Sequence, residues 1–244
     1  MTRYKFELSY NGKPYFGWQR QPNQISVQEE IETALFKLNH NQAIPVVGCG
    51  RTDTGVHAKH YVLHVDFEDG FYNVDLQFKL NRMLPDSISI QKIEAVSPDF
   101  HARFDAKSRT YRYFLHQSKD PFNVDFSLFH PTQLDFEVMN AAAQFLIGKK
   151  DFTSLSKLHT DVKTNICDVS FARWTNSNEN QAYFEITADR FLRNMVRATV
   201  GTLLEVGTGK IQPSEVEKIL LKKDRQAAKM SVPGHALFLW EILY

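Results

Sequence analysis

Asp53 is the residue of this chain whose setting most suggests chemistry. It lies in Gly50-Arg51-Thr52-Asp53-Thr54-Gly55-Val56-His57-Ala58, two residues from an arginine and two from a glycine, in a short polar loop that follows Ile44-Pro45-Val46-Val47. Loops joining core strands are where catalytic groups concentrate. A carboxylate beside a guanidinium stays ionised well below neutral pH, because the cation favours the charged form. Such an anion can serve as a nucleophile or a base. The same pattern also suits an aspartate that caps a turn, with Arg51 as its surface partner. The local pattern leaves both readings open.

Three further groupings carry side chains of interest. His57, His60 and His64 fall within eight residues, which raises zinc as a ligand. The segment reads as a strand, however, on which 60 and 64 share a face while 57 points away, and no cysteine or carboxylate completes a ligand spacing. The favoured reading is turn and strand histidines, with no metal. Tyr111 and Tyr113 alternate with Thr110 and Arg112. Interleaved aromatic and cationic side chains can stack a base and hold its phosphates; core aromatics backed by solvated arginines are the alternative. Arg190, Arg193 and Arg197 recur at i, i+3, i+7 on what reads as an amphipathic helix. They form either a solvated basic face or a source of one arginine that partners a carboxylate.

The elements that must position these groups follow from periodicity. Tyr4, Phe6, Leu8 and Tyr10 alternate with Lys5, Glu7 and Ser9, a half-buried strand. Ser26 with Glu29 three residues on makes a capping box, and Val27, Ile31, Leu35 and Leu38 then share a helix face. Strands are expected at 44–47, 61–67 and 87–95, and a helix at 74–84 that stops before Pro85. After residue 106 the order resumes. A strand is expected at 110–116, a helix at 136–147 closed by Gly148, and strands at 165–174 and 182–188 joined by the polar turn 176–180. A helix at 191–206 ends at Gly207, another at 214–221 starts behind Pro213, and a last strand covers 237–243. The fold class expected is α+β, in two similar halves, each a mainly antiparallel sheet with helices on one face and an active-site cleft between them. The domains expected are 1–106, carrying the Asp53 loop, and 107–244, completing the cleft. The junction at 105–109 is polar but contains neither glycine nor proline.

Bulk properties narrow the class. The 244 residues are 43% hydrophobic, enough for a substantial core. No run of 18 apolar residues suggests a membrane helix, and the start Met1-Thr2-Arg3-Tyr4-Lys5 lacks a signal-peptide apolar block. Cys49 and Cys167 do not make a disulfide framework, so the cytoplasm is expected. The net charge of +1 argues mildly against a dedicated nucleic-acid binder. A local cationic track, from Arg103, Lys107, Arg109 and Arg112, would answer that objection. No Gly-rich phosphate loop, Gly-x-Ser-x-Gly elbow or Cys-x-x-Cys pair is present, so a cofactor has no visible anchor.

Several motifs occur together and in one order. They are Gly17-Trp18-Gln19-Arg20-Gln21 with Ser26-Val27-Gln28-Glu29, then the Gly50 to Ala58 loop, then Phe100-His101-Ala102-Arg103-Phe104 and Tyr111-Arg112-Tyr113. Asp151-Phe152-Thr153-Ser154, Phe191-x-x-x-Met195-Val196-Arg197 and Leu237-x-Leu239 complete the set. In these motifs the chain resembles the TruA family of tRNA pseudouridine synthases over nearly its whole length. The resemblance implies cofactor-independent isomerisation of uridine to pseudouridine at positions 38, 39 and 40 of the tRNA anticodon arm. It implies Asp53 as the catalytic carboxylate and nucleophile, Tyr111 as the active-site tyrosine that stacks on the uracil, and Arg197 as the arginine that pairs with the aspartate. Arg51 would help hold the flipped nucleotide, and Leu237 would pack against the base. It further implies a homodimer, with the tRNA anticodon stem-loop as partner, and neither a membrane nor a small-molecule cofactor. The chain departs from the family pattern at Thr54, where alanine is common, at His60-Tyr61, where Gly-Gln is often found, and at Ala236, where glycine is usual; none of these removes a catalytic group. Two other classes remain to be separated from this one: a non-catalytic RNA-binding or chaperone protein on the same scaffold, and a metal-dependent hydrolase built on His57, His60 and His64.

Overall fold

A computed structural model describes residues 1–157 and 163–244. In chain order its strands and helices are β1 (Thr2–Tyr10), α1 (Val27–Leu38), β2 (Val47–Gly48), β3 (His57–Phe67), α2 (Leu76–Met83), β4 (Ile88–Ala95), β5 (Ser108–His116), β6 (Leu128–Phe129), α3 (Phe136–Ala143), β7 (Gly148–Asp151), β8 (Ile166–Asn178), β9 (Gln181–Ala188), α4 (Met195–Gly207), α5 (Glu215–Lys222) and β10 (Leu237–Leu243). Two compact units result: Met1–Lys107 with Leu239–Tyr244, and Ser108–Phe238. Each mixes strands and helices, and all the strand pairings described are antiparallel except β5 with β6. The α+β class expected from the sequence is the class observed.

In the first unit the strand order is β4-β1-β3-β10, with β2 added to β3. Phe6, Leu8 and Tyr10 of β1 stand opposite Leu63, Tyr61 and Ala58 of β3, and all six are buried. The alternate positions of β1 carry charge: Arg3 makes a two-pronged contact with Asp66 at 2.7 Å, and Lys5 reaches Glu94 at 2.6 Å. The partners favour their charged forms. The hydrogen bond from Arg3 holds the Asp66 carboxyl below its usual range, as Lys5 does for Glu94. On β3 the alternation expected at 61–67 is absent between Tyr61 and Val65, which are buried without a break. The segment around Ala102 lies over the second face there, since the Ala102 N–H donates to His64 Nδ1 at 3.1 Å.

In the second unit the order is β5-β9-β8-β7, with β6 on β5. Tyr113, Leu115, Phe184, Ile186, Trp174 and Met139 form its core, and α3 lies against both α4 and β8. β8 runs through the region expected to turn, and only Glu179 and Asn180 connect it to β9.

Other expectations are corrected. Residues 44–46 are not a strand. Pro45 has no N–H to give a ladder, and Val46 bonds to side chains of α1 instead, its N–H donating to Glu32 at 3.3 Å and its carbonyl accepting from Gln28 at 3.4 Å. Only β2 remains of that element. The helix expected over 136–147 ends at Ala143, continues as a turn of 3-10 helix (Gln144–Leu146), and Gly148, with φ of 96°, opens β7. The helix expected over 191–206 begins only at Met195. Asn194 is in the left-handed region, with φ of 67°, which breaks helical continuity before it. Arg190 and Arg193 therefore do not share a helix face with Arg197.

α4 is nearly all buried, and Gly201 is why it can be. A Cβ built there would stand 1.9 Å from the carbonyl oxygen of Met230. Glycine to alanine inside a helix ordinarily gains about 1 kcal/mol, but here the added methyl meets backbone. Gly201→Ala should lower the unfolding free energy in urea by roughly 1–3 kcal/mol; equal or greater stability would show that residues 229–231 do not pack against α4 in this way.

Candidate active site

Asp53 stands half-buried in a loop that the first unit clamps from three sides. Gly17 passes so close that a Cβ on it would lie 2.3 Å from the Thr52 carbonyl oxygen, and its φ of 99° suits only glycine. The Trp18 N–H donates to that same Thr52 carbonyl at 3.3 Å, and the Gly55 N–H donates to the Tyr15 carbonyl at 3.2 Å. From β1, the Tyr10 hydroxyl shares a hydrogen bond with Thr52 Oγ1 at 2.9 Å; from β3, the Tyr61 hydroxyl donates to the Gly50 carbonyl at 2.5 Å. Trp18 and Tyr61 stack with ring centroids 4.0 Å apart. α1 holds the far side of the clamp. Its Val27 and Gln28 N–H groups donate to the Gly17 and Trp18 carbonyls, while the Ser26 side chain accepts from Glu29 N as the capping box requires. The loop closes on itself where the Val56 N–H donates to the Asp53 carbonyl, with Gly55 at φ 75°. Arg51, two residues before Asp53, is exposed.

The second unit builds Tyr111, Arg197 and Leu237 around another clamped segment, residues 228–233. Arg197, in the first turn of α4, donates from Nε to the Val232 carbonyl at 2.7 Å, and the Val232 N–H returns a bond to the Arg197 carbonyl. One residue on, the Pro233 carbonyl accepts from the Tyr113 hydroxyl at 3.1 Å. Arg225 and Asn194 both donate to Ser231 Oγ, at 3.0 and 2.7 Å. Tyr113 is thus core, and burial pushes its hydroxyl far above the ordinary tyrosine value. Tyr111, two residues along the same strand face, is half-buried and meets Phe191 edge to face at 5.0 Å. Leu237, at the start of β10, is 5% exposed.

Against this geometry the comparisons with known proteins are unambiguous. The sequence matches the family described as tRNA pseudouridine synthase over residues 8–105 and 142–244. The chain belongs to that family. It is 52% identical to the tRNA pseudouridine synthase A of Parabacteroides distasonis, across 100% of this chain and 96% of that one. The corresponding protein of Bacteroides fragilis is 51% identical, with 100% and 97% covered, and that of Bacillus licheniformis 40%, with 99% of each. The enzyme is a pseudouridine synthase, an isomerase acting on tRNA. Among the described residues no helix is long and apolar enough to cross a membrane.

The arginines read at 103–112 do not stand as unengaged charges in this synthase. Arg112 pairs with Glu185 across the strands and lies over the Tyr183 ring at 4.7 Å, Arg109 donates to the Asp189 carbonyl at 2.8 Å, and Arg103 lies over Phe104. Nor do the three histidines converge. Their Nδ1 atoms accept from three separate backbone N–H groups: His57 from Gly12 at 3.0 Å, His64 from Ala102 at 3.1 Å, His60 from Ile242 at 3.4 Å. Residues that sequence reasoning missed are those that build the clamp, above all Tyr10, Tyr15, Tyr61 and Gly12. Gly17 and Trp18 carried a signal, as members of a motif, but the motif did not disclose that they touch the Asp53 loop.

His64 supplies a test. Burial first, and then the Arg3 charge, push its pKa from 6.5 down to about 4, so the folded enzyme holds the ring neutral. Between about pH 6.5 and 4 the unfolded chain binds a proton here that the folded chain does not, so this residue's contribution to stability is lost as pH falls through that window. His64→Asn keeps an acceptor for the Ala102 N–H without the titration. Urea unfolding of both proteins from pH 7 to pH 4 should show a shallower loss in the variant; parallel curves would refute the assignment.

Proposed function

We propose that this synthase converts uridine to pseudouridine at positions 38, 39 and 40 of the tRNA anticodon arm, with Asp53 as nucleophile and without a cofactor. The observation that carries the reading is the clamped loop. A carboxylate meant only to cap a turn needs no such framework, whereas a reacting group must be held in place before substrate arrives. Arg51 does not form the surface pair that the capping reading requires; among the described residues its side chain makes no ion pair.

The chemistry then follows. A base inside a stem is out of reach, so the nucleotide is extruded at a cost of a few kcal/mol, with exposed Arg51 gripping phosphate as it turns out. Asp53 attacks either the ribose C1′ or the uracil C6. The N1–C1′ bond breaks, the uracil turns over, C5 bonds to C1′, the C5 proton leaves, and N1 gains a proton. Atoms balance within the nucleotide, and nothing is oxidised or hydrolysed. Arg197 supplies the positive charge of the site, and its bond to the Val232 carbonyl fixes its direction. Tyr111 is the floor on which the free uracil rests and helps take the C5 proton. Leu237 is an apolar wall that excludes water. The enzyme works in the cytoplasm as a homodimer: a chain of net charge +1 gains a phosphate-binding surface when two copies share one tRNA.

Asp53→Asn should reduce pseudouridine formation on a tRNA transcript by about 10³-fold or more, at least about 4 kcal/mol in the barrier, while changing tRNA affinity by less than threefold. Turnover retained in that variant would remove the nucleophile. Binding of the wild-type enzyme to the same transcript should weaken steeply between 50 and 200 mM salt, as counterion release requires; affinity indifferent to salt would speak against phosphate contacts.

A further inference from the structure

Tyr61 is among the largest fully buried side chains of the molecule, yet its polar atom is not idle. The ring lies against Trp18 at 4.0 Å and against Tyr10 at 5.5 Å, and the hydroxyl sits in the space that Gly48 leaves open. The hydroxyl donates to the Gly50 carbonyl at 2.5 Å and also meets the Cys49 side chain. Gly50 is the first residue of the catalytic loop, three before Asp53, and it has no side chain of its own to fix it. A Cβ there would meet nothing within 4 Å. The loop is thus held at Gly50 from β3 and at Thr52 from β1, and Asp53 follows directly.

We infer that Tyr61 is a positioning residue: by holding the Gly50 carbonyl, its hydroxyl sets where the Asp53 carboxylate stands in the active site. The inference rests on the proposed role of Asp53. Burial pushes the Tyr61 hydroxyl well above the ordinary tyrosine range, so it is a proton donor at neutral pH. The ring and the hydroxyl have separable tasks, one filling the core and one placing the loop.

The test uses Tyr61→Phe, which keeps the ring and its stacking on Trp18 but deletes the O–H, beside Tyr61→Leu, which removes both. Melting curves come first, and turnover on a tRNA transcript is then measured well below each variant's transition. Tyr61→Phe should fold with a melting temperature within a few degrees of wild type. Its kcat should fall roughly 10- to 100-fold, the range expected when a reacting group is misplaced by up to about 1 Å, with KM within twofold. Tyr61→Leu should lose stability as well as kcat. If Tyr61→Phe keeps wild-type kcat while Tyr61→Leu only melts earlier, the residue is core filling and the inference is overturned. A raised KM with unchanged kcat overturns it equally. Asp53→Asn, assayed in parallel, separates the two levels. Should it turn over normally, the role of Asp53 fails and this inference with it; should it be inactive while Tyr61→Phe is fully active, only the inference fails.

Discussion

The approach of one backbone to another at Gly17 is the constraint on which the Asp53 loop depends. Asp53 lies between a carbonyl that must accept from Trp18 and a glycine whose N–H must reach Tyr15. The first of these bonds exists only because residue 17 brings no side chain into the gap. A methyl there would enter the Thr52 carbonyl and would in addition strain a φ that L-residues avoid. The consequence reaches α1, whose first free N–H groups are satisfied by the carbonyls of residues 17 and 18. Helix, turn and loop are therefore one hydrogen-bonded construction.

The second unit solves the same problem by the same means. Gly201 lets the carbonyl of Met230 come against α4, and the segment so admitted is the one whose next carbonyls hold Arg197 and Tyr113. Each unit places a charged side chain on backbone that is over-determined by neighbours. Pre-organisation of this sort moves the entropic cost of ordering from the reaction into folding. It also explains the use of tyrosine: a phenol can fill a core and still tie down a carbonyl, which leucine or phenylalanine cannot do.

Much of this was legible in advance. The alternation in β1, the capping box at Ser26, the antiparallel pair β8 and β9 and the α+β class follow from period and propensity, because those elements bury one face and expose the other. Failures occur where tertiary contacts overrule the period. Residues 61–65 are buried on both faces because a loop nearly forty residues away lies over His64. Residues 44–46 leave the ladder because side chains of α1 compete for Val46. The start of α4 slips to Met195 because one asparagine adopts a left-handed backbone, which no hydrophobic pattern encodes. The motif around Asp53 was visible as residue types, but the clamp was not, since most of its bonds run between main-chain groups that every residue possesses.

The histidines show the same logic from the other side. Three imidazoles in eight residues suggest metal, yet each spends its Nδ1 on a backbone N–H that would otherwise be left without a partner: Gly12, Ala102 and Ile242. Both His57 and His64 are buried, and His64, which burial holds neutral, adds polar satisfaction to the core without adding charge. Gly12 in turn lies against Val56, where a Cβ would stand 2.0 Å from the carbonyl oxygen. His57 therefore fixes the far end of the Asp53 loop as Tyr61 fixes its start. Of the three histidines only His57 belongs to this frame; His60 and His64 bind the Ile242 and Ala102 N–H groups elsewhere in the first unit.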